Sequence, residues 1–238
     1  MLELKNICFE RNGKKILDNI NINIDENKFI VFTGPNGSGK STLVKIIIGI
    51  EKPDKGQIIY KGQDITNMSI DERAKLGIGF AFQLPVKFKG ITVFDLIRLS
   101  AGKEINKKDA CDILASVGLC AKEYVDREVN SSLSGGELKR IEIATVVARN
   151  SELTIFDEPE AGIDLWSFTS LIKVFENIRK TIKGTTIIIS HQERIINIAD
   201  EIILINNGKI EKTGTKEEMM STYLKEHKCC KLGGACDE

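Results

Sequence analysis

A glycine-rich segment near the N-terminus contains the residue types that bind phosphate. The stretch GPNGSGKST, residues 34–42, fits the pattern G-x-x-x-x-G-K-[ST] and lies between an apolar run and a helical pattern. Its glycines allow backbone N–H groups to surround a phosphate at the start of a helix. Lys40 would reach the β- and γ-phosphates of a nucleotide, and the Ser41 hydroxyl would ligate Mg²⁺. The predicted nucleotide ligands are Gly34, Asn36, Gly37, Ser38, Gly39, Lys40, Ser41 and Thr42.

Two adjacent acids end a second apolar run. The run LTIFDEP, residues 153–159, is typical of a buried strand that finishes at Asp157 and Glu158. In open α/β sheets the carboxyl ends of the strands face the nucleotide. Asp157 is therefore expected to hold the Mg²⁺ shell, and Glu158 to polarise a water molecule against the γ-phosphate.

Two further polar residues are candidates to complete a hydrolytic site. Gln83, in GFAFQLPV, follows a short apolar stretch and is a candidate catalytic residue and Mg²⁺ ligand. His191, in IIISHQE, follows another apolar strand and would touch the γ-phosphate. A lone Gln or His is more often structural than catalytic, but the order of these residues among the other motifs favours the catalytic interpretation. The predicted catalytic residues are Glu158, His191 and Gln83.

A second candidate anion site lies in SSLSGGELKR, residues 131–140. Ser134 and a glycine pair, Gly135 and Gly136, precede an apolar helical pattern, and a helix N-terminus attracts anions. This segment is far along the chain from the P-loop, residues 34–42. Its composition alone does not reveal which phosphate it would bind.

The elements that position these motifs form an alternating pattern. LELKNICFE alternates as a half-buried strand does, residues 86–149 have helical spacing, and LTIFDE, TTIIIS and EIILINNGKI are typical of strands. This order predicts an α/β fold in which a mostly parallel sheet carries an N-terminal antiparallel β-subdomain and an inserted helical subdomain.

Bulk composition excludes some functions. The chain has 238 residues, and its 34 Lys and Arg balance its 34 Asp and Glu. It therefore lacks the excess of basic residues that is typical of nucleic-acid-binding proteins. The apolar runs are too short to insert into a membrane, and no signal peptide is evident, so we expect a cytoplasmic protein. Three cysteines among apolar residues are expected to be small core hydrophobes: Cys8, Cys111 and Cys120.

A short tail, residues 227–238, is rich in cysteine. Thiolates and imidazole would suit Zn²⁺, Cu(I) or an iron–sulfur cluster. The spacing is not that of C-x-x-C pairs, however, which favours a flexible tail with reactive thiols over a metal site. The candidate tail ligands are His227, Cys229, Cys230 and Cys236.

The order of the motifs resembles that of the nucleotide-binding subunit of ATP-binding-cassette (ABC) proteins. The P-loop, Gln83, LSGGE, IFDE, AGID and His191 follow one another as in that family, from Leu2 to about Tyr223. The resemblance implies a RecA-like P-loop NTPase core that hydrolyses ATP with Mg²⁺ in a head-to-tail homodimer. It also implies that Ser134, Gly135 and Gly136 bind the γ-phosphate held by the other subunit's P-loop, and that Asp164 lies at the dimer seam.

The resemblance implies one ABC ATPase domain over residues 1–226. Its catalytic core would comprise residues 1–85 and 150–226, and its helical subdomain residues 86–149. Family members usually stack adenine on an aromatic residue about two dozen positions before the P-loop. Here Arg11 stands near that place and Phe9 precedes it, so either Arg11 stacks on the base or adenine specificity is loose.

Local sequence details resemble one branch of the family. AFQLPVKFKGITV and DEPEAGIDLWSF are similar to stretches of the Suf-type iron–sulfur cluster assembly ATPases (SufC). This implies a soluble scaffold partner like SufB or SufD, docked beside Gln83 through Val86, Phe88 and the ITVFDLI face. The alternative is the ATPase subunit of an ABC transporter with separate membrane subunits. A third hypothesis, a regulatory ATP sensor, is disfavoured by Glu158 and His191.

Overall fold

The computed structural model describes residues 1–83, 90–130, 132–181 and 184–219, apart from the side chains of 165–167 and 181. Two predictions lie outside these residues: the docking contacts at Val86 and Phe88, and the tail ligands His227, Cys229, Cys230 and Cys236. No helix within the described ranges is long and apolar enough to cross a membrane.

The strands and helices follow one another along the chain as predicted. The strands are β1 (Leu2–Arg11), β2 (Lys14–Ile24), β3 (Phe29–Thr33), β4 (Lys55–Tyr60), β5 (Gln63–Asp64), β6 (Ile78–Ala81), β7 (Leu153–Asp157), β8 (Thr185–Ile189), β9 (Glu201–Asn206) and β10 (Lys209–Gly214). The helices are α1 (Lys40–Ile48), α2 (Ile70–Lys75), α3 (Val93–Ala101), α4 (Lys107–Ser116), α5 (Ala121–Tyr124), α6 (Gly135–Arg149), α7 (Leu165–Thr181) and α8 (Glu193–Ile196).

The strands form two sheets. The N-terminal sheet is antiparallel, with strand order β2-β1-β4-β5. The central sheet has the order β10-β9-β3-β8-β7-β6, and all of its pairs are parallel except β10 with β9. The predicted α/β class, with a mostly parallel core and an N-terminal antiparallel subdomain, is confirmed. EIILINNGKI forms the β9–β10 hairpin instead of one strand, because Asn207 and Gly208 adopt positive φ and turn the chain.

The central sheet separates two apolar cores because successive side chains of a strand point to opposite faces. Ile30 and Phe32 of β3 pack with α1 and the N-terminal sheet, whereas Phe29 and Val31 pack with α3, α4, α6 and α7. Strand β3 lies between β8 and β9, so the segment that follows it starts near the middle of the sheet. Both faces of β3 are covered, which agrees with its continuous apolar sequence.

The expectation that Cys8, Cys111 and Cys120 are core residues is wrong for Cys8 and Cys120, whereas Cys111 packs against the apolar core that includes α3, α4, α6 and α7. Cys8 and Cys111 are partly buried and Cys120 is exposed. Cys8 lies where the register of β1 against β4 shifts, and its sulfur accepts the Asn19 N–H at 3.3 Å. Cys120 precedes the short helix α5 at its N-cap position.

Candidate functional site

The backbone of the P-loop requires glycine at two positions. Gly34 has φ +137°, and a Cβ there would lie 2.0 Å from the Ile205 carbonyl oxygen. Gly39 has φ +104° at the N-cap of α1, where a Cβ would lie 2.7 Å from the Leu17 side chain. The loop also rests on the β9–β10 turn, since the Gly208 N–H donates to the Ser38 carbonyl at 3.0 Å. The P-loop therefore packs closely against β9, the β9–β10 turn and β2.

Lys40 turns its amino group back into the P-loop. The Nζ atom donates to the carbonyl oxygens of Gly34 and Pro35, each at 2.8 Å, and the side chain is buried. Burial lowers the pKa of Lys40, while the charges of Glu158 and Asp157 raise it. A nearly desolvated ammonium with two acids close by is suited to bind an anionic phosphate chain.

Ser41 and Asp157 form the part of the site that would hold a cation. Ser41 Oγ donates to Asp157 Oδ1 at 3.1 Å, and Asp157 is buried at the end of β7. Burial raises the pKa of Asp157, and the charge of Glu158 raises it further. A buried carboxylate beside a hydroxyl supplies the oxygen ligands that Mg²⁺ prefers, so these residues fit that ion.

Glu158 and Gln83 meet beside this pair. Gln83 Nε2 donates to Glu158 Oε2 at 2.7 Å, although the two residues are 75 positions apart in the sequence. Glu158 has φ +44°, an unusual value for a residue with a side chain, and its N–H donates to the Ile189 carbonyl at 3.1 Å. Strand β8 thus fixes the backbone of Glu158, and an observed strain of this kind is typical of functional sites.

The second anion site lies at the start of α6. Ser134 is the N-cap, and its Oγ accepts the Glu137 N–H at 3.3 Å while Glu137 Oε2 accepts the Ser134 N–H at 2.6 Å. Ser134 and Gly135 are exposed and Gly136 is buried. A Cβ on Gly135 would lie 3.6 Å from the Gly162 carbonyl oxygen, so this helix start lies beside the AGID turn.

Comparison with known proteins decides the family. A family profile described as "ABC transporter" matches residues 17–161, which is more than half of the chain. The chain belongs to the ABC transporter family of ATP-binding cassettes. The P-loop, the two acids at the end of β7 and the LSGGE helix start are therefore parts of one ABC ATPase, and the predicted ATPase activity is confirmed.

Relatives of the cassette have names that refer to transporters. It is 39% identical to "Uncharacterized ABC transporter ATP-binding protein MJ0035" of Methanocaldococcus jannaschii, covering 97% of this chain and 96% of that protein. It is 32% identical to the spermidine/putrescine import protein PotA of Mesoplasma florum and 36% identical to the sulfate/thiosulfate import protein CysA of Synechocystis sp.. These matches cover 92% and 85% of this chain but 63% and 57% of PotA and CysA, which are longer.

Solved structures agree with the fold. The ADP conformation of the cassette MJ1267 superposes with a TM-score of 0.80 at 29% identity, covering 96% of each chain. The dimeric cassette MJ0796, described as a post-hydrolysis state bound to ADP and Pi, gives a TM-score of 0.79 at 24% identity and covers 90% of this chain. At that identity the second likeness shows the fold alone.

Two further predicted residues of the cassette, His191 and Asp164, are exposed. His191 is exposed just beyond β8, with its Nε2 atom 3.5 Å from Gln192 Nε2. Asp164 is exposed before α7, and its carbonyl accepts the Phe168 N–H at 2.9 Å. The structure thus brings together Lys40, Ser41, Asp157, Glu158 and Gln83, and it places Ser134, His191 and Asp164 on exposed loops or a helix start.

The adenine question has a partial answer. Phe9 is 8% exposed and packs in the core below the N-terminal sheet, so its ring is turned away from the surface. Arg11 is exposed and donates to Glu51 Oε1 at 3.1 Å. Of the two residues, only Arg11 is therefore accessible to a base.

Sequence reasoning missed four polar residues around the site. Glu160 is buried and accepts a hydrogen bond from the Ser190 hydroxyl, which precedes His191. Lys139 and Glu142 of α6 contact the backbone just before and at Gln83. The acid after Pro159 was a visible signal for Glu160, whereas Lys139 and Glu142 stand in a segment that resembles any amphipathic helix.

Proposed function

We propose that the cassette hydrolyses ATP as a head-to-tail homodimer in which each copy completes the site of the other. The observation that supports this proposal is the contrast between two groups of residues. Lys40, Ser41, Asp157, Glu158 and Gln83 converge at the C-terminal edge of the central sheet. The start of α6 at Ser134 instead faces outward, where a second copy would bring its nucleotide.

Each converging residue has a proposed role in hydrolysis. Lys40 neutralises the β- and γ-phosphates, and the amides of the P-loop surround them. Ser41, Gln83 and Asp157 would hold Mg²⁺, which when bound supplies charge neutralisation at the phosphates. Glu158, held by the Gln83 amide at 2.7 Å, orients and polarises the attacking water.

The remaining family motifs have roles in the closed dimer. His191, exposed after β8, would contact the γ-phosphate. Asp164, in the AGID turn, would lie at the interface between the two copies. Ser134, Gly135 and Gly136 would bind the γ-phosphate of the other copy. ATP binds more favourably to the closed dimer than to separate subunits, so hydrolysis releases the dimer and performs conformational work.

The first candidate for the partner is a membrane permease. The printed names of the relatives describe ATP-binding proteins of transporters, and two of them name imported solutes. On this proposal the cassette acts at the cytoplasmic side of separate membrane subunits. Because the site of the cassette would bind the nucleotide and not the transported molecule, it does not identify the solute that such a transporter would carry.

The second candidate is a soluble iron–sulfur scaffold like SufB or SufD. Two sequence stretches support it, AFQLPV around Gln83 and DEPEAGID, in which Glu160 follows the proline. Glu160 is buried and hydrogen-bonded to Ser190, so this departure from the usual transporter sequence is built into the core beside the site. The names of the relatives do not support this candidate.

Mixing two inactive variants tests the shared site. Lys40→Ala removes the P-loop cation and Ser134→Arg blocks the start of α6, so each homodimer should be inactive. A heterodimer of the two variants retains one intact site, built from the P-loop of one copy and the α6 start of the other. Phosphate release by the mixture should reach up to about one quarter of the wild-type rate, because about half of the dimers are mixed and each has one site. A mixture that stays inactive while both variants bind each other would rule out the shared site.

Co-purification separates the two candidate partners. We would express the cassette with the products of its neighbouring genes and isolate the complex by a tag on the cassette. An integral membrane protein recovered in detergent supports the transporter role. A soluble protein that remains bound without detergent supports the scaffold role and counts against the permease.

A further inference from the structure

A buried ion pair lies within α6, one turn beyond the LSGGE glycines. Lys139 Nζ is 2.8 Å from Glu142 Oε2, and the side chains are 2% and 13% exposed. Removing two charges from water is unfavourable, and an apolar pair of similar size often serves packing at least as well. The pair therefore requires a reason other than stability.

Both members of the pair hold the same short piece of backbone. Glu142 Oε1 accepts the Phe82 N–H at 2.9 Å, while Lys139 Nζ donates to the Phe82 carbonyl and, at 3.3 Å, to the Gln83 carbonyl. Phe82 follows β6 and is 43% exposed, so these residues have already left the sheet. Helix α6 thus fixes the path of the chain where the sheet no longer does.

The same piece of backbone carries the amide that contacts Glu158. Gln83 Nε2 lies 2.7 Å from Glu158 Oε2, so a displacement of the Gln83 backbone would move the group that holds this carboxylate. The contacts form a continuous series from Lys139 and Glu142, through residues 82–83, to Glu158. Burial raises the pKa of Glu142 and the charge of Lys139 lowers it, as expected for two groups that depend on each other.

We propose that Lys139 and Glu142 are positioning residues that hold Gln83 in place against Glu158. Helix α6 then has two functions: its start receives the phosphate of the other copy, and its buried pair aligns the water-orienting residues of its own copy. The inference rests on the proposed function, because it assigns Gln83 and Glu158 to hydrolysis. Neither Lys139 nor Glu142 contacts the nucleotide in this proposal, so their loss should change turnover rather than binding.

Turnover and binding of ATP distinguish this role from a general structural one. Lys139→Met should lower kcat by about 100-fold, as small misplacements of catalytic groups do, with KM for ATP unchanged. The double variant K139M/E142L replaces the pair by apolar side chains and should retain the fold while losing the same turnover. Arg149→Met is the matched control, because Arg149 is also on α6 and donates to a backbone carbonyl, that of Ala74, at 2.9 Å. Its kcat should equal that of the wild type.

A double-mutant cycle with Gln83→Ala tests whether the pair acts through Gln83. In the Q83A background, Lys139→Met should change kcat by less than about twofold, since the residue it positions is already absent. Independent losses that multiply would refute the inference. Wild-type turnover by K139M/E142L would refute it as well.

Hydrogen exchange tests the pair without reference to activity. The Phe82 amide should exchange faster in K139M/E142L than in the wild type or in Arg149→Met, because its acceptor is gone. Unchanged exchange at Phe82 would refute this inference even if ATP turnover falls. A wild-type protein without ATP turnover would instead refute the proposed function and would leave the exchange result to decide whether α6 holds residues 82–83.

Discussion

Two helices of this cassette begin at a glycine-rich motif, and they treat their N-termini differently. Helix α1 starts after Gly39, which has no side chain to accept the first N–H groups, and its first residue, Lys40, is buried. Helix α6 starts after Ser134, whose capping box with Glu137 satisfies the first turn from within the chain. The start of α1 therefore has no side-chain cap and is buried. The start of α6 has a cap and is exposed.

This difference indicates which site depends on a ligand. The first turn of α1 leaves N–H groups for a phosphate, so nucleotide completes a helix that the chain leaves unfinished. The first turn of α6 is stable without a ligand, because Ser134 and Glu137 cap each other. A motif that must remain folded while it waits for a second subunit benefits from such a cap, and the predictions below test this division.

Lys40→Ala should have the largest effect and should act on the open site alone. Loss of the ammonium removes charge-assisted contacts to two phosphates, so ATP affinity should fall by at least about 100-fold. Titration calorimetry measures the affinity directly. Lys52→Ala, an exposed lysine just after α1, is the control and should bind ATP normally. Normal ATP binding by Lys40→Ala would mean that the P-loop backbone suffices.

Glu158→Gln should separate binding from turnover. The amide cannot polarise water as a carboxylate does, so kcat should fall on the order of 100-fold to 1,000-fold, while ATP still binds and holds the dimer closed. Phosphate release and size-exclusion chromatography with ATP measure the two effects. The exposed Glu193→Gln, on α8, should behave as the wild type. Unchanged dimerisation in Glu158→Gln would show that Glu158 does not limit turnover.

Asp157→Asn should stabilise the nucleotide-free protein while impairing hydrolysis. Burial raises the pKa of Asp157, so the charged form is disfavoured in the fold. The favourable contribution of this group is present below its unfolded pKa of about 4 and is lost as pH rises through the raised folded pKa. The variant should therefore melt about 2–4 °C higher at pH 7 for each ~1 kcal/mol gained.

The pH dependence of that gain provides its control. The difference in melting temperature should shrink as pH falls and vanish below about pH 4, where the wild-type carboxyl is protonated. Asp112→Asn, on the exposed side of α4, should show no gain at pH 7. A destabilised Asp157→Asn would mean that the Ser41 hydrogen bond outweighs burial.

Ser134→Ala should have the smallest effect and should act on the capped helix. Loss of the N-cap should cost about 1 kcal/mol of unfolding free energy, a decrease of about 2–4 °C in Tm, even without nucleotide. Thermal melts of the nucleotide-free protein measure this cost. Ser132→Ala, two residues before the cap, is the control outside the helix. An unchanged Tm would contradict the idea that α6 is stabilised by its own cap.

Sequence predicted the fold and the converging half of the site because local patterns determine both. A buried β3 followed by GPNGSGKST places Lys40 and Ser41 at a strand end, and the apolar run before Asp157 does the same for the acids. Parallel strands bring their ends to one edge, so the contact between Ser41 and Asp157 follows from topology.

The remaining features depend on contacts that a single sequence does not reveal. Lys139 and Glu142 look like the charged positions of an ordinary helix, and only the folded structure reveals their contacts with the Phe82 backbone, roughly sixty residues earlier. Phe9 is an aromatic residue near the place expected for adenine stacking, but strand alternation directs its ring into the core. The residue types were clear from the sequence. What could not be predicted was which face of the helix or strand each residue occupies.

The P-loop is synthesised before the strands that support it in the central sheet. It is made before β8, β9 and Gly208, which flank and support it in the folded protein. We expect nascent chains that stop before β8 not to retain ATP, and chains that extend beyond Gly208 to retain it, when ribosome-bound chains of increasing length are assayed. ATP would then bind only chains in which these strands have been made, and shorter nascent chains would not compete for it.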